Sequence, residues 1–332
     1  MKQVRYAIVG CGSISKTHLK ALAGVPQACL TAACDLSLER AQATVGDQGR
    51  AYTDYQQMLQ DKEVDAVLIL TASGMHADMG IQAARAGKHV VVEKPIDISV
   101  EKARALIRAC DENGVKLSCI FQHRFDTDTL ALKKVIDEGK LGRLDAGCCH
   151  TKWYRNQAYY DEVAWRGTKK LDGGGALMNQ GIHQLDLFQH LMGEVDEVFA
   201  YCATRAHERI DVEDLCMATL RFKNGALGLM EASTVATPGF YTRIDVNGSE
   251  GTVILQNNTV QEWRLSNGEQ YTPQPTDLPH RIQLEEISRA ILENRESSVS
   301  GREALKSLLI ADAIYRSAES GRPEKVNYEE DV

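Results

Sequence analysis

Hydrophobic and polar positions run along this chain in two rhythms. Over the first stretch, short apolar β-rich runs at 4–9, 29–34, 66–70, 89–92 and 116–121 alternate with helical apolar spacing at 15–22, 38–45, 54–59, 77–86 and 99–113. Gly87 and Gly114 stand where two of those helices need C-caps. Near-continuous apolar strands joined by helices predict a parallel sheet covered on both faces, so residues 1–122 read as a doubly wound α/β domain of Rossmann type.

After Gln122 the rhythm changes. Helices are predicted at 128–138 and 181–191, closed by Gly139 and Gly193. Strands then follow without helices between them, at 198–204, 215–222, 226–233, 241–246, 251–255 and 260–265. Asn224-Gly225, Asn247-Gly248 and Asn267-Gly268 mark the turns. Residues 123–332 therefore read as an α+β substrate-binding and oligomerisation domain with a large, open, mostly antiparallel sheet. Its closing helices, 281–293 and 302–319, are candidates to pack back on the first domain.

Composition narrows the function. The 332 residues hold 38 Lys and Arg against 46 Asp and Glu, a net charge of -8. Such a surface repels phosphate backbones and anionic lipid, so nucleic acid and membrane are not expected partners. No apolar run reaches the ~20 residues that span a bilayer, and the N-terminus is a short strand pattern rather than a signal peptide. A cytoplasmic location is expected. The nine cysteines form no C-x-x-C pair and read as free thiols in a reducing compartment, so no metal site is expected.

Gly10-Cys11-Gly12-Ser13-Ile14-Ser15 follows the first strand and opens the first helix, where backbone N–H groups cradle a pyrophosphate. Ser15 stands where a third Gly or Ala is usual, but it is small enough for close helix–strand packing. Asp35 ends the second strand, placed to accept hydrogen bonds from the adenosine ribose. Its charge repels a 2′-phosphate, so NAD is expected over NADP, with Arg40 as the residue that weakens the preference. Capping of the next helix is the other use for an aspartate there. Open α/β sheets bind ligands outside the carboxyl ends of their strands. The expected cofactor contacts are Gly10, Gly12, Ser13, Ile14, Asp35, Thr71, Ser73, His76, Glu93, Lys94 and Gln122.

Lys94 follows a strand too apolar to be an edge, and partial desolvation suits a lysine to proton transfer; the alternative is a surface lysine paired with Glu93. Pro95 is a candidate cis proline. Further on, Gly173, Gly174 and Gly175 precede a helix that sets Asn179, His183 and Asp186 on one face, spaced by four and three. His183 is a candidate proton acceptor, its tautomer held by Asp186 or a backbone carbonyl. His190 extends that face, but one helix rarely supplies every ligand of a metal. Trp153-Tyr154-Arg155, Tyr159-Tyr160 and Trp165-Arg166 supply aromatic and cationic groups for a sugar face and an anionic handle, or else a packed loop with a snorkelling arginine.

Together these segments resemble the Gfo/Idh/MocA family of oxidoreductases along essentially the whole chain. The likeness runs from Ala7-Ile8-Val9-Gly10-Cys11-Gly12-Ser13-Ile14 with His18, through Lys88-His89-Val90-Val91-Val92-Glu93-Lys94-Pro95, to residues 173–183. It implies a Rossmann domain, a second domain whose open sheet commonly makes oligomer contacts, and reversible oxidation of a sugar or polyol hydroxyl with NAD(P). Lys94 then matches the catalytic lysine and His183 the catalytic histidine. Asn179 stands where many relatives carry aspartate, which puts any charged role of that position in doubt. Met178-Asn179-Gln180 with His183 is similar to members that oxidise the 3″-hydroxyl of UDP-linked amino sugars, the UDP-GlcNAc and UDP-GlcNAcA 3-dehydrogenases. Expected substrate contacts are Lys94, Arg124, Tyr154, Trp165, Arg166, Asn179 and His183; the expected partners are a sugar or nucleotide-sugar and further copies of the chain, as homodimer or homotetramer. Two rivals share the fold: an NAD-dependent glycoside hydrolase and a non-catalytic dinucleotide sensor.

Overall fold

The computed structural model describes residues 2–328, which fall into two compact units: residues 2–122 with 277–305, and residues 123–276 with 306–328. In the first unit, β1 (Val4–Val9), β2 (Ala28–Cys34), β3 (Arg50–Tyr52), β4 (Ala66–Ile69), β5 (His89–Val92) and β6 (Leu117–Cys119) form one sheet in the order β3-β2-β1-β4-β5-β6. Every pairing is parallel. Helices α1 (Ser15–Ala23), α2 (Leu38–Val45), α3 (Tyr55–Leu59), α4 (His76–Arg85) and α5 (Val100–Glu112) connect the strands. Val67, Leu68, Val90 and Val91 are wholly buried, as strands covered on both faces must be. Ser37 and Ser99 cap α2 and α5, their hydroxyls accepting the Arg40 and Lys102 N–H groups. Strand order reverses between β1 and β4, the crevice where such sheets take ligands.

A single break after Gln122 does not describe the chain, because helix α9 (Pro279–Leu292) belongs to the first unit. Its Leu284 and Ile287 join that unit's core. Gln283 Nε2 donates to the Cys119 carbonyl at 2.8 Å, and Ser288 Oγ meets the Tyr6 hydroxyl at 2.9 Å. An amphipathic helix goes where its apolar face is buried, whatever its place in the sequence.

The second unit holds α6 (Thr127–Asp137), β7 (Leu144–Lys152), α7 (Gln157–Asp161), α8 (Ile182–Met192), β8 (Val195–Ala203), β9 (Leu215–Phe222) and β10 (Leu227–Ser233). Strands β11 (Thr242–Gly248), β12 (Gly251–Gln256) and β13 (Thr259–Leu265), most of α10 (Gly301–Ser320) and β14 (Glu324–Lys325) complete it. The sheet order is β13-β12-β11-β7-β10-β9-β8-β14, antiparallel among the described residues except where β7 meets β10. Strand β7, near the middle of this sheet, is the element the periodicity does not announce. Its sequence Leu-Asp-Ala-Gly-Cys-Cys-His-Thr-Lys carries one β-branched residue and no clean alternation. Gly147 of β7 lies opposite Gly228 of β10, and a side chain on either would meet the Phe188 ring at 2.8–2.9 Å. Phe188 thereby seats α8 on the sheet. No helix among the described residues is long and apolar enough to cross a membrane.

Candidate active site

At the carboxyl edge of the parallel sheet, the glycine turn leaves space beside it. Gly10 has φ +89° and a side chain there would strike the Leu70 carbonyl at 2.8 Å, whereas a side chain on Gly12 would meet nothing within 4 Å. That open flank at the start of α1 fits the close approach of a diphosphate. Asp35 ties the turn in place: its Oδ2 accepts the Cys11 N–H at 2.8 Å, and its Oδ1 accepts the Ser37 N–H at 2.9 Å. Ser37, not Asp35, is the cap of α2. Arg40 reaches back to Asp35 Oδ1 at 2.7 Å while remaining largely exposed. Burial alone would raise the Asp35 carboxyl, but the Ser37 N–H, the Arg40 guanidinium and the Cys11 N–H outweigh it and hold it below the usual range. A charged carboxylate whose Oδ2 retains acceptor capacity fits a ribose diol and disfavours a 2′-phosphate.

The next strand end is built around Glu93. His18 on α1 is fully buried and its Nε2 meets Glu93 Oε1 at 2.7 Å; Glu93 Oε2 accepts the Lys94 N–H at 3.0 Å. Burial pushes the Glu93 carboxyl up, yet the His18 bond and the nearby positive charges bring it down to about 2. The Lys94–Pro95 peptide is cis. His76 is buried with Nδ1 2.8 Å from the Pro95 carbonyl and Nε2 3.2 Å from the Thr71 carbonyl. Burial lowers its pKa, and a neutral ring donates to only one of these two carbonyls, the nearer being that of Pro95. The Lys94 loop is thus clamped from both sides. His18, Glu93 and His280 each bring a ligand-type atom within 4.8 Å of the others. The 2.7 Å His18–Glu93 contact is a hydrogen bond, since two ligands on one ion stand about 3 Å or more apart.

In the second unit the glycine run is packed against protein. A side chain on Gly174 would lie 2.1 Å from the Tyr315 hydroxyl, and one on Gly175 would lie 1.7 Å from the Glu213 carbonyl oxygen. Glu213 takes the Gly175 and Leu177 N–H groups at 2.9 and 2.8 Å and the Tyr315 hydroxyl at 3.0 Å. Burial raises this carboxyl despite those donors. Held this way, residues Ala176–Gly181 form a π-helical turn ahead of α8, a local irregularity frequent at functional sites. Asn179 therefore stands on π-helical backbone and His183 on the first turn of α8. From residue 174 to 189 every position is buried except Asn179 and His183.

His183 lines a pocket of about 180 Å³ with His123, Trp153, Gln180, Gln184, Thr242, Asn257 and Asn258. Asn257 and Asn258 have φ 50° and 60° in the turn between β12 and β13, a conformation asparagine tolerates. The rings of His123 and His183 meet edge to face at 5.3 Å. Gln180 donates from Nε2 to the Tyr159 hydroxyl at 3.1 Å, while its buried Oε1 has no hydrogen-bond partner among the described residues.

Several expected contacts are relocated. Arg124 is buried, and its Nε and Nη2 both reach Asp186 at 2.7 Å, a two-pronged pair that anchors α8. Arg124, expected as a sugar contact, and Asp186, expected as a partner of His183, are thus placed against each other. Arg166 stacks on Tyr159 at 4.0 Å and pairs with Glu162 at 2.9 Å, so its contacts are those of a packed loop. Trp165 lies 5.7 Å from the same guanidinium. Tyr154 bridges to Val235, and it is the neighbouring Trp153 that walls the His183 pocket. Sequence reasoning passed over Gln184, Thr242, Asn257 and Asn258; the Asn-Asn pair between two strands was the one local signal for this wall.

The first unit has the make-up of an NAD-binding Rossmann oxidoreductase, and comparison with known proteins agrees. Residues 4–121 match the description "Oxidoreductase family, NAD-binding Rossmann fold" and residues 129–254 match "GFO/IDH/MocA C-terminal domain". The chain belongs to the Gfo/Idh/MocA family of oxidoreductases. It is 29% identical to inositol 2-dehydrogenase of Rhizobium meliloti (strain 1021), covering 96% of this chain and 98% of that one. It is 30% identical to scyllo-inositol 2-dehydrogenase (NAD(+)) of Bacillus subtilis (strain 168), over 76% of this chain and 74% of that one. Among solved structures, the WlbA dehydrogenase of Bordetella pertussis in complex with NADH and UDP-GlcNAcA is 36% identical with a TM-score of 0.90, covering 98% and 99% of the two chains. NAD is the favoured cofactor.

Proposed function

We propose that this protein is an NAD-dependent dehydrogenase of a secondary hydroxyl on a sugar or polyol, with a nucleotide-linked amino sugar as its favoured substrate class. The observation that carries the reading is the neutral pocket beside His183, in which four side-chain amides and one hydroxyl face an indole wall. Amides and hydroxyls match the donors and acceptors of a carbohydrate, and an aromatic face takes its C–H surface. The nucleotide-sugar preference is supported by the bound UDP-GlcNAcA of a relative that matches nearly the whole chain.

His183 accepts the proton of the substrate hydroxyl, and the Lys94 ammonium stabilises the alkoxide that develops. Bound NAD supplies the acceptor for the hydride that leaves the same carbon. Asn179 holds a substrate hydroxyl. Further copies of the chain are expected to cover the open face of the antiparallel sheet, where Tyr201, Met217, Leu227 and Leu229 are exposed. All nine cysteines are unbridged, which suits the reducing cytoplasm.

The test mixes purified protein and NAD with UDP-sugars, inositols and free aldoses and follows absorbance of the reduced cofactor. Turnover with accumulation of NADH is the expected result; glycoside cleavage without it would replace the reading with hydrolysis. Lys94→Ala and His183→Ala should each lower kcat about 10²–10⁴-fold, the usual range for losing an acid–base group. NAD affinity should stay within a few-fold, and unaltered turnover in both variants would remove the assignment.

A further inference from the structure

Cys202, near the end of β8, and Cys216, near the start of β9, stand directly opposite each other in the antiparallel sheet. Neighbouring bonds fix their place in the ladder. The Asp196 carbonyl accepts the Val326 N–H at 3.0 Å, and the Ala200 N–H donates to Ser317 Oγ at 3.1 Å. Even-numbered residues of β8 thus turn their backbone groups away from β9, whereas the Ala203 carbonyl turns towards it and accepts the Asp214 N–H at 3.1 Å. Cys202 and Cys216 are therefore a non-hydrogen-bonded pair, with Cα atoms about 4.5 Å apart and side chains at their closest. A disulfide needs Cα atoms about 4.4–6.8 Å apart, so the backbone need not move to bridge them. Cys216 shares the buried face of β9 with Ala218 and Leu220, while Cys202 is half-buried. The two thiols are hydrogen-bonded, and that bond together with burial raises the Cys216 thiol well above its ordinary pKa.

This pair closes the neck of the loop 203–215, which buttresses the candidate site. Glu213 holds the Gly175 and Leu177 N–H groups. Asp211 accepts the Lys169 N–H at 2.7 Å and donates its own N–H to the Gly167 carbonyl at 3.0 Å. His207 Nε2 lies 2.9 Å from the Arg155 carbonyl. We propose that Cys202 and Cys216 form a reversible disulfide with peroxide as oxidant, a redox staple that locks this loop where it supports residues 155–177. The half-buried position of Cys202 admits a small oxidant. Its thiolate attacks one peroxide oxygen, the O–O bond breaks, and a sulfenic acid and hydroxide result. The Cys216 sulfur then attacks the Cys202 sulfur and expels its hydroxyl, which leaves as water with the Cys216 proton. In sum, two thiols lose two electrons and two protons, and one hydrogen peroxide becomes two waters. A dithiol reverses the bond by exchange. Cross-linking restricts the unfolded chain while the native backbone stays in place, so the staple stabilises the fold.

The experiment treats the purified full chain with hydrogen peroxide, alkylates it in denaturant, and maps the cysteines by mass spectrometry beside a thermal unfolding scan. The expected result is a cross-link joining the Cys202 and Cys216 peptides and a Tm raised by about 4–8 °C, both undone by dithiothreitol. Cys202→Ser should keep the Tm of the untreated protein to within about 2 °C and lose the peroxide-induced rise. Cys148→Ser, which removes another half-buried thiol, should keep that rise. Cys216 recovered as a free thiol after peroxide treatment overturns the proposal. So does a cross-link that leaves Tm unchanged or lowers it, or a rise that survives Cys202→Ser. If Cys202→Ser fails to fold, the cross-link map of the wild type and its reversal by dithiothreitol still decide. None of these readouts depends on turnover, so failure of the staple and failure of the dehydrogenase reading are told apart.

Discussion

The glycine turn of the first unit resembles the glycine run of the second in sequence, yet the two serve opposite ends. Beside Gly12 a side chain would meet open space, whereas beside Gly174 and Gly175 it would collide with Tyr315 and Glu213. One lacks side chains so that a ligand can come close; the other lacks them so that protein can. The carboxylates that steady the two regions differ in the same way. Glu93 is held ionised by His18 and its pKa falls to about 2, while Glu213 is fed mainly by neutral donors and burial raises it. A glycine cluster is therefore evidence of a ligand only when the space beside it is empty.

Substitutions can break this contrast. Gly175→Ala should be the most damaging, lowering stability by about 3 kcal/mol or more in denaturant unfolding, since the added methyl meets backbone that cannot yield. A near-neutral result would mean that the run is loosely packed. Glu93 has its native pKa below its unfolded one, so it contributes stability that is present above about 4.5 and lost as pH falls towards about 2. The shift corresponds to about 3 kcal/mol. Glu93→Gln should remove that much at neutral pH and flatten the acid limb of a stability–pH curve. Glu213, with its pKa raised, should give a slope of the opposite sign. Gly12→Ala should leave unfolding unchanged to about 0.5 kcal/mol yet weaken NAD binding about tenfold, readable by calorimetric titration. The smallest effect on the folded chain is expected from Leu229→Thr, on the exposed sheet face: within about 0.5 kcal/mol for the protomer, with the oligomer dissociating in light scattering.

The two sheets differ in how legible they are. In β4 and β5 every residue after the first of β5 is buried, as is all of β4, so unbroken apolar runs announce the strands. Their parallel order follows from the helices between them. In β9 burial alternates residue by residue, which the sequence also displays. Strand β7 escaped because its place is set by the neighbours β10 and β11, which supply the packing that its own residues lack. The site was legible to the same extent. Gly10, Gly12, Asp35, Lys94 and His183 stand out by chemistry and by position relative to elements. Arg124 and Asp186 were equally conspicuous, but a sequence does not say that two opposite charges will satisfy each other in the core.

Local patterning was enough to define the two kinds of domain, the expected dinucleotide turn and the residues with useful chemistry, because hydrophobic period and turn residues act over a few positions. Tertiary packing alone decided that α9 returns to the first unit, that Glu213 winds Ala176–Gly181 into a π-helical turn, and that the Asn179 amide donates to Asp172. Those outcomes depend on groups that meet in space beyond the reach of local pattern. Whether a buried charge or an apolar face finds its partner is settled only when both have left water together.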